Sequence, residues 1–130
     1  MVAFDQDLLK VQLEGTSPLL RTVFALSCAE RLFPLYRLYA EKVGAGDQDR
    51  LRSTLDQLWE SALRGQTGGK LPFLDEYEAL IPGEDAEWTP LNPLAENAVA
   101  ALAYACRCHA TGEAENAVWT AVQNYEAVDY

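Results

Sequence analysis

Apolar residues recur along this chain at intervals of three and four, the spacing of one helix face, and the elements this predicts are all helical. Phe4, Leu8, Leu9, Val11 and Leu13 form a loose stripe that predicts a first helix from Ala3 to Glu14, before Gly15. Ser17 is a capping residue, and Pro18 suits a first helical position, where its missing N–H costs nothing. The helix they open is apolar nearly all round from Leu19 to Ala29, as expected of a central, buried element. Pro34 interrupts it, so a kink or a break is expected before Leu35, with helix resuming to about Val43 and ending at Gly44 and Gly46.

Asp47 is the expected cap of the next helix, in which Leu51, Leu55, Leu58, Trp59 and Ala62 keep helical spacing until the glycines from Gly65 to Gly69. A short helix from Pro72 to Leu80 and a loop rich in proline and acid from Ile81 to Leu91 follow. Asn92 and Pro93 start another helix, whose Leu94, Ala98, Val99, Leu102, Ala105 and Cys106 form a narrow stripe of mostly small residues, ended by Gly112. The last helix, from about Glu113, places Ala114, Ala117, Val118, Ala121, Val122 and Tyr125 on one face. The expected fold class is all-α: an irregular bundle of about five to six helices with a proline-kinked central helix. No internal repeat, low-complexity segment or interdomain linker interrupts the pattern, so residues 1–130 read as a single helical domain.

Composition narrows the class. With 130 residues, 49% of them hydrophobic, the chain can build one core without metal or disulfide staples. The stretch from Met1 to Gly15 carries Asp5, Asp7 and Glu14 and has no basic start, unlike a secretory signal. No apolar run reaches the roughly 18 to 20 residues that span a bilayer, so no membrane role and a cytoplasmic address are expected. Cys28, Cys106 and Cys108 have no framework spacing, and two residues apart on a helix the last two point about 200° apart. Reduced thiols are the expectation.

The net charge of -10 is uneven. Residues 1–70 carry nine acids and nine bases, whereas residues 71–130 carry eleven acids and only Arg107. Nucleic acid binding is disfavoured, because phosphate contacts need clustered Lys or Arg. The acidic half reads either as a solvated surface that aids solubility or as a landing face for a basic partner. Trp88 stands in the acidic loop with Glu84, Asp85 and Glu87, and an aromatic amid acids on a loop is the chain's best candidate for a protein-contact hot spot. Trp59 and Trp119 lie in helices and are expected as core anchors.

The enzyme readings are thinner. A di-metal carboxylate bundle needs a Glu-x-x-His pair from each of two helices, and His109 is the only histidine. Asp56 and Glu60 lie four apart on one helix face and could hold a hard cation with help from Glu30, or equally pair with Arg31, Arg52 or Arg64. A histidine-assisted nucleophile would require Ser27 or Cys28 to meet His109 in space. Gly44-Ala45-Gly46-Asp47 and Gly65-Gln66-Thr67-Gly68-Gly69-Lys70 read as helix-ending loops, because neither has the context of a phosphate loop. No cofactor is expected, and neither catalytic residues nor metal ligands are assigned.

The segment Glu30-Arg31-Leu32-Phe33-Pro34-Leu35-Tyr36 places a charged pair between an apolar helix and a proline. One reading is a kink whose freed backbone groups are met by the Arg31 and Glu30 side chains, with Tyr36 and Tyr39 packed around them. The other is a pocket formed by Glu30, Arg31, Tyr36, Asp56, Trp59 and Glu60.

At Cys28 to Tyr36, Gly44 to Asp47, Leu55-Asp56-Gln57-Leu58-Trp59-Glu60, Leu80-Ile81-Pro82, the Pro93 helix and Thr111-Gly112-Glu113, the sequence resembles the YjaG-like bacterial family, domain of unknown function 416. The shared order of these pieces carries the likeness, over roughly Leu19 to Val128. The resemblance implies a cytoplasmic helical bundle and hands over no catalytic residue or reaction. Relatives usually continue for another helix or two, so a short or truncated member is expected; if short, it leaves exposed surface around Tyr125 and the Ala-rich Pro93 helix that favours a dimer or another partner.

Three functions follow as expectations. The first is a non-catalytic interaction domain whose Glu84, Asp85, Glu87 and Trp88 bind a basic protein partner, an immunity-type inhibitor of a nuclease toxin being one version. The second is a small metal-assisted hydrolase or ligand-binding domain built on Glu30, Asp56 and Glu60. The third is a structural homodimer.

Overall fold

Asp5, Ser17 and Asp47 each turn a side-chain oxygen onto the backbone N–H three residues on, at Leu8 (3.0 Å), Leu20 (3.2 Å) and Arg50 (3.0 Å). Each such cap satisfies a donor that the first helical turn leaves without an intrahelical partner. The computed structural model describes residues 4–66 and 77–129, and these caps open its first three helices: α1 (Gln6–Glu14), α2 (Pro18–Val43) and α3 (Gln48–Leu63). A single 3-10 turn at Tyr77–Leu80, then α4 (Asn92–Thr111) and α5 (Ala114–Asp129), complete an all-α bundle. The described residues contain no strand.

The Asp5 cap starts α1 at Gln6, so Phe4 lies outside the helix, where its ring stacks on Tyr125 of α5 at 5.3 Å. Residues 67–76, which include most of the expected Pro72–Leu80 helix, and residues 1–3, where the first helix was expected to begin, lie outside the described residues.

α2 runs unbroken through Pro34. An interior proline removes one helical hydrogen bond and costs about 3 kcal/mol. Pro34 sits on the exposed side, while Leu32, Tyr36 and Tyr39 around it are buried and hold both halves of the helix to the core. Burying large side chains such as these stabilises by roughly 1.5–3 kcal/mol each, enough together to outweigh the lost bond. α2 ends at Gly44, whose φ of 73° lets its N–H reach the Ala40 carbonyl.

α2 packs against α3, α4 and α5, and α1 lies on α5. α4 is buried around most of its circumference: Ala95, Ala98, Val99, Ala101, Leu102, Ala103, Ala105 and Cys106 are all sealed in. Of the surface expected around Tyr125 and this helix, Tyr125 on α5 is exposed, while the Ala-rich face is therefore covered. Small side chains let α2 and α5 approach it closely, and those helices cover it.

Trp119 corrects another expectation. It is 38% exposed and stacks on Tyr104 at 6.2 Å along the outer line where α4 meets α5, facing away from the core it was expected to anchor. Arg21 stitches the two turns at this end of the bundle. Its guanidinium donates to the carbonyls of Leu13 (2.8 Å), Glu14 (2.9 Å), Thr16 (2.8 Å) and Gly112 (2.9 Å). No helix among the described residues is long and apolar enough to cross a membrane.

Candidate functional site

Two regions hold the residues that the sequence singles out. The first lies where α2 crosses α3. Arg52 of α3 donates to both carboxylate oxygens of Glu30 on α2, Nη1 to Oε2 at 2.5 Å and Nη2 to Oε1 at 2.8 Å. The same guanidinium reaches Asp56 one turn on, with Nε at 3.0 Å and Nη2 at 2.8 Å from Oδ1. Trp59 Nε1 adds a third donor to Glu30 at 3.0 Å, and the Phe33 ring lies over the guanidinium at 4.8 Å.

Local sequence sets this geometry. Arg52 and Asp56 are four apart on one helix face, and Trp59 follows three residues later on the same side. The bonds from Arg52 hold the Glu30 carboxyl below the usual range, with Trp59 adding to the effect against partial burial. Arg52 is in turn pushed further toward its charged form, first by the bond to Glu30. Chemically this is a closed pair: Glu30 stays ionised and is poorly suited to donate a proton.

Of the six residues expected to share a pocket, only Glu30, Asp56 and Trp59 converge. Glu60 pairs instead with Arg64 at 2.6 Å on the solvent side, again at a spacing of four. Arg31 is exposed, and the Glu30 side chain is taken by Arg52 and Trp59, so this charged pair does not serve the backbone around Pro34 as one reading expected. Tyr36 is fully buried elsewhere. Its hydroxyl donates to the Leu80 carbonyl at 2.7 Å and accepts from the Asp47 N–H at 3.0 Å, beside the Tyr39 ring at 5.7 Å. Among the described residues no three His, Cys, Asp or Glu side chains stand together as a metal site would need.

The second region is the loop from Ile81 to Leu91. Tyr36 fastens its start through Leu80, and the Ala86 N–H donates to the Gly83 carbonyl at 3.0 Å. Asn92, at the head of α4, donates to the Glu87 carbonyl at 3.2 Å and accepts from the Thr89 hydroxyl at 2.7 Å. Thr89 also accepts from the Leu91 N–H at 3.2 Å. On this tied frame Glu84, Asp85 and Glu87 are exposed, and among the described residues none forms an ion pair. Trp88 is 66% exposed. Beside the loop a groove of about 440 Å³ opens between Tyr39 and Lys42 of α2 and Glu87, Thr89 and Asn92.

The thiols and the histidine complete the inventory. Cys28, Cys106 and Cys108 are free and buried, and burial pushes Cys28 up to about 11 and Cys106 up to about 12, far from a reactive thiolate. His109 meets neither Ser27, which is exposed and bonded to the Val23 carbonyl, nor Cys28. Its Nε2 lies 2.8 Å from the Ser61 hydroxyl of α3. The histidine is buried, its Nδ1 has no hydrogen-bond partner among the described residues, and burial lowers its pKa. The sequence reading missed this pair, and no spacing signal links positions 61 and 109 on two different helices.

Comparison with curated proteins and comparison with solved structures each found no match. The family model described as a protein of unknown function, DUF416, matches residues 9–127, from within α1 to near the end of α5 and across both regions. The chain is a member of the DUF416 family.

Proposed function

We propose that this protein is a non-catalytic interaction domain that binds a basic protein partner through the loop bearing Glu84, Asp85, Glu87 and Trp88. The observation that carries the reading is Trp88, two-thirds exposed among three carboxylates that form no ion pair among the described residues, on a loop fastened by Tyr36 and Asn92. A large aromatic held out in water gains from burial in a partner, and a braced loop loses little entropy on docking. The surrounding carboxylates steer a basic partner and align it, and the groove beside Glu87 offers room for an inserted side chain. An immunity-type inhibitor of a basic nuclease toxin is one form of this function, and the cytoplasm is the compartment that goes with it.

The reading is tested by capturing partners of the tagged protein from its host at low and at high salt. A basic protein held at low salt and released at high salt supports it. Recovery of the chain alone under both conditions counts against it.

A further inference from the structure

α4 and α5 run antiparallel, and their outer seam is marked by four cross-helix contacts. Asn97 donates to Gln123 at 2.9 Å and to Glu126 at 3.3 Å, Tyr104 stacks on Trp119 at 6.2 Å, and Asn116 donates to the Thr111 hydroxyl at 3.2 Å. The two ends of this seam differ in shape and in charge. Toward the start of α4 lies a hollow of about 430 Å³ lined by Pro93, Glu96, Asn97, Ala100, Gln123 and Glu126. Toward its end stand Tyr104 and Trp119, with the Arg107 guanidinium over the Tyr104 ring at 5.3 Å. Arg107 is exposed, is the only Lys or Arg after residue 70, and forms no ion pair among the described residues. Glu96 and Glu126 are exposed and form no ion pair among the described residues.

We propose that this seam is the interface of a two-fold symmetric dimer, in which Arg107 and Trp119 of each copy seat in the acidic hollow of the other. A two-fold interface must be self-complementary, so that a feature at one end meets its counterpart at the other end of the same patch. The seam has that form, with an aromatic and cationic projection at one end and a concave carboxylate end at the other. Glu96 and Arg107 are eleven residues apart on one helix, about 16 Å at 1.5 Å per residue. An axis through the middle of that span, over the small side chain of Ala100 and its neighbours, brings each Arg107 to the Glu96 and Glu126 of the opposite copy. Trp, Tyr and Arg are also the residue types that concentrate binding energy at interfaces. The occupant is a second copy because both halves of the required match lie on one surface. That surface shares no residue with the acidic loop, so failure of either proposal leaves the other standing.

Sedimentation velocity over a range of concentrations tests this on the intact chain. Wild type should show a monomer–dimer equilibrium. R107E alone and the pair E96K with E126K should each raise the dissociation constant at least about tenfold, because each sets like charges together at both ends of the interface. All three positions are exposed, and circular dichroism should show unchanged helix content. An equimolar mixture of the two variants should recover dimer, since one end then keeps its native pairing, the other has its charges exchanged, and both join opposite charges. Wild type that stays monomeric up to several hundred micromolar overturns the proposal and leaves the hollow to a different partner. So does a dimer that R107E leaves intact, or a mixture that fails to reassociate.

Discussion

Glu30 on α2 and Arg52 on α3 are joined by two parallel hydrogen bonds, and this pair ties the proline-bearing half of α2 to α3. Replacing Arg52 by Met should destabilise the fold by about 1–2 kcal/mol, since the pair is about a third open to solvent and water recovers part of what Glu30 loses. Urea unfolding at neutral pH measures this.

The pair also sets a pH dependence. The folded pKa of Glu30 lies below its unfolded value of 4.5, so the unfolded chain binds the proton more readily. The stability it contributes is fully present above about pH 4.5 and is lost as pH falls through the lower folded value. Wild type and Glu30→Gln should therefore differ in melting temperature at pH 7, and the difference should shrink as pH falls below 4.5.

His109 has the opposite charge type and the same direction of loss. Burial lowers its pKa from 6.5, so acid favours the unfolded chain from about pH 6.5 downward until the folded histidine itself takes up a proton. Between pH 7 and pH 5, His109→Gln should lose less stability than wild type. An NMR titration of the ring should show protonation only below pH 6.5.

Gly46 has a φ of 74°, and a Cβ there would fall within 2.3 Å of the Tyr36 hydroxyl. Gly46→Ala should thus cost the left-handed backbone penalty of about 1–2 kcal/mol and also displace the hydroxyl that joins Leu80 to Asp47, for a total of about 3 kcal/mol. Gly44→Ala has the same backbone sign, φ 73°, and open space around the added carbon, so it should cost only the backbone share. Thermal melts of the two variants separate the contributions.

The backbone plan was largely readable because its signals are local. Ser17, Asp47, Pro18 and Pro93 mark helix starts, Gly44 and Gly112 mark ends, and the stripe at Leu51, Leu55, Leu58 and Ala62 names the buried face of α3. Of the kink or break expected at Pro34, the break is absent: buried side chains on both sides of it keep α2 one helix. Trp119 misled because helical spacing gives a face but not which neighbour covers it. At the α2–α3 crossing the ion pairs at a spacing of four were foreseeable, Arg52 with Asp56 and Arg64 with Glu60. Which arginine takes Glu30, and that Ser61 meets His109, depends on how helices far apart in sequence come to lie together.

The acidic loop stands at the centre of this account, and the most direct test is one side-by-side partner capture. Tagged wild type is compared with a variant carrying Glu84→Lys, Asp85→Lys and Glu87→Lys, at low salt, with helix content verified for both. Wild type should retain a basic protein, and the variant, equally helical, should lose it. Equal retention by the two proteins would contradict the loop's role.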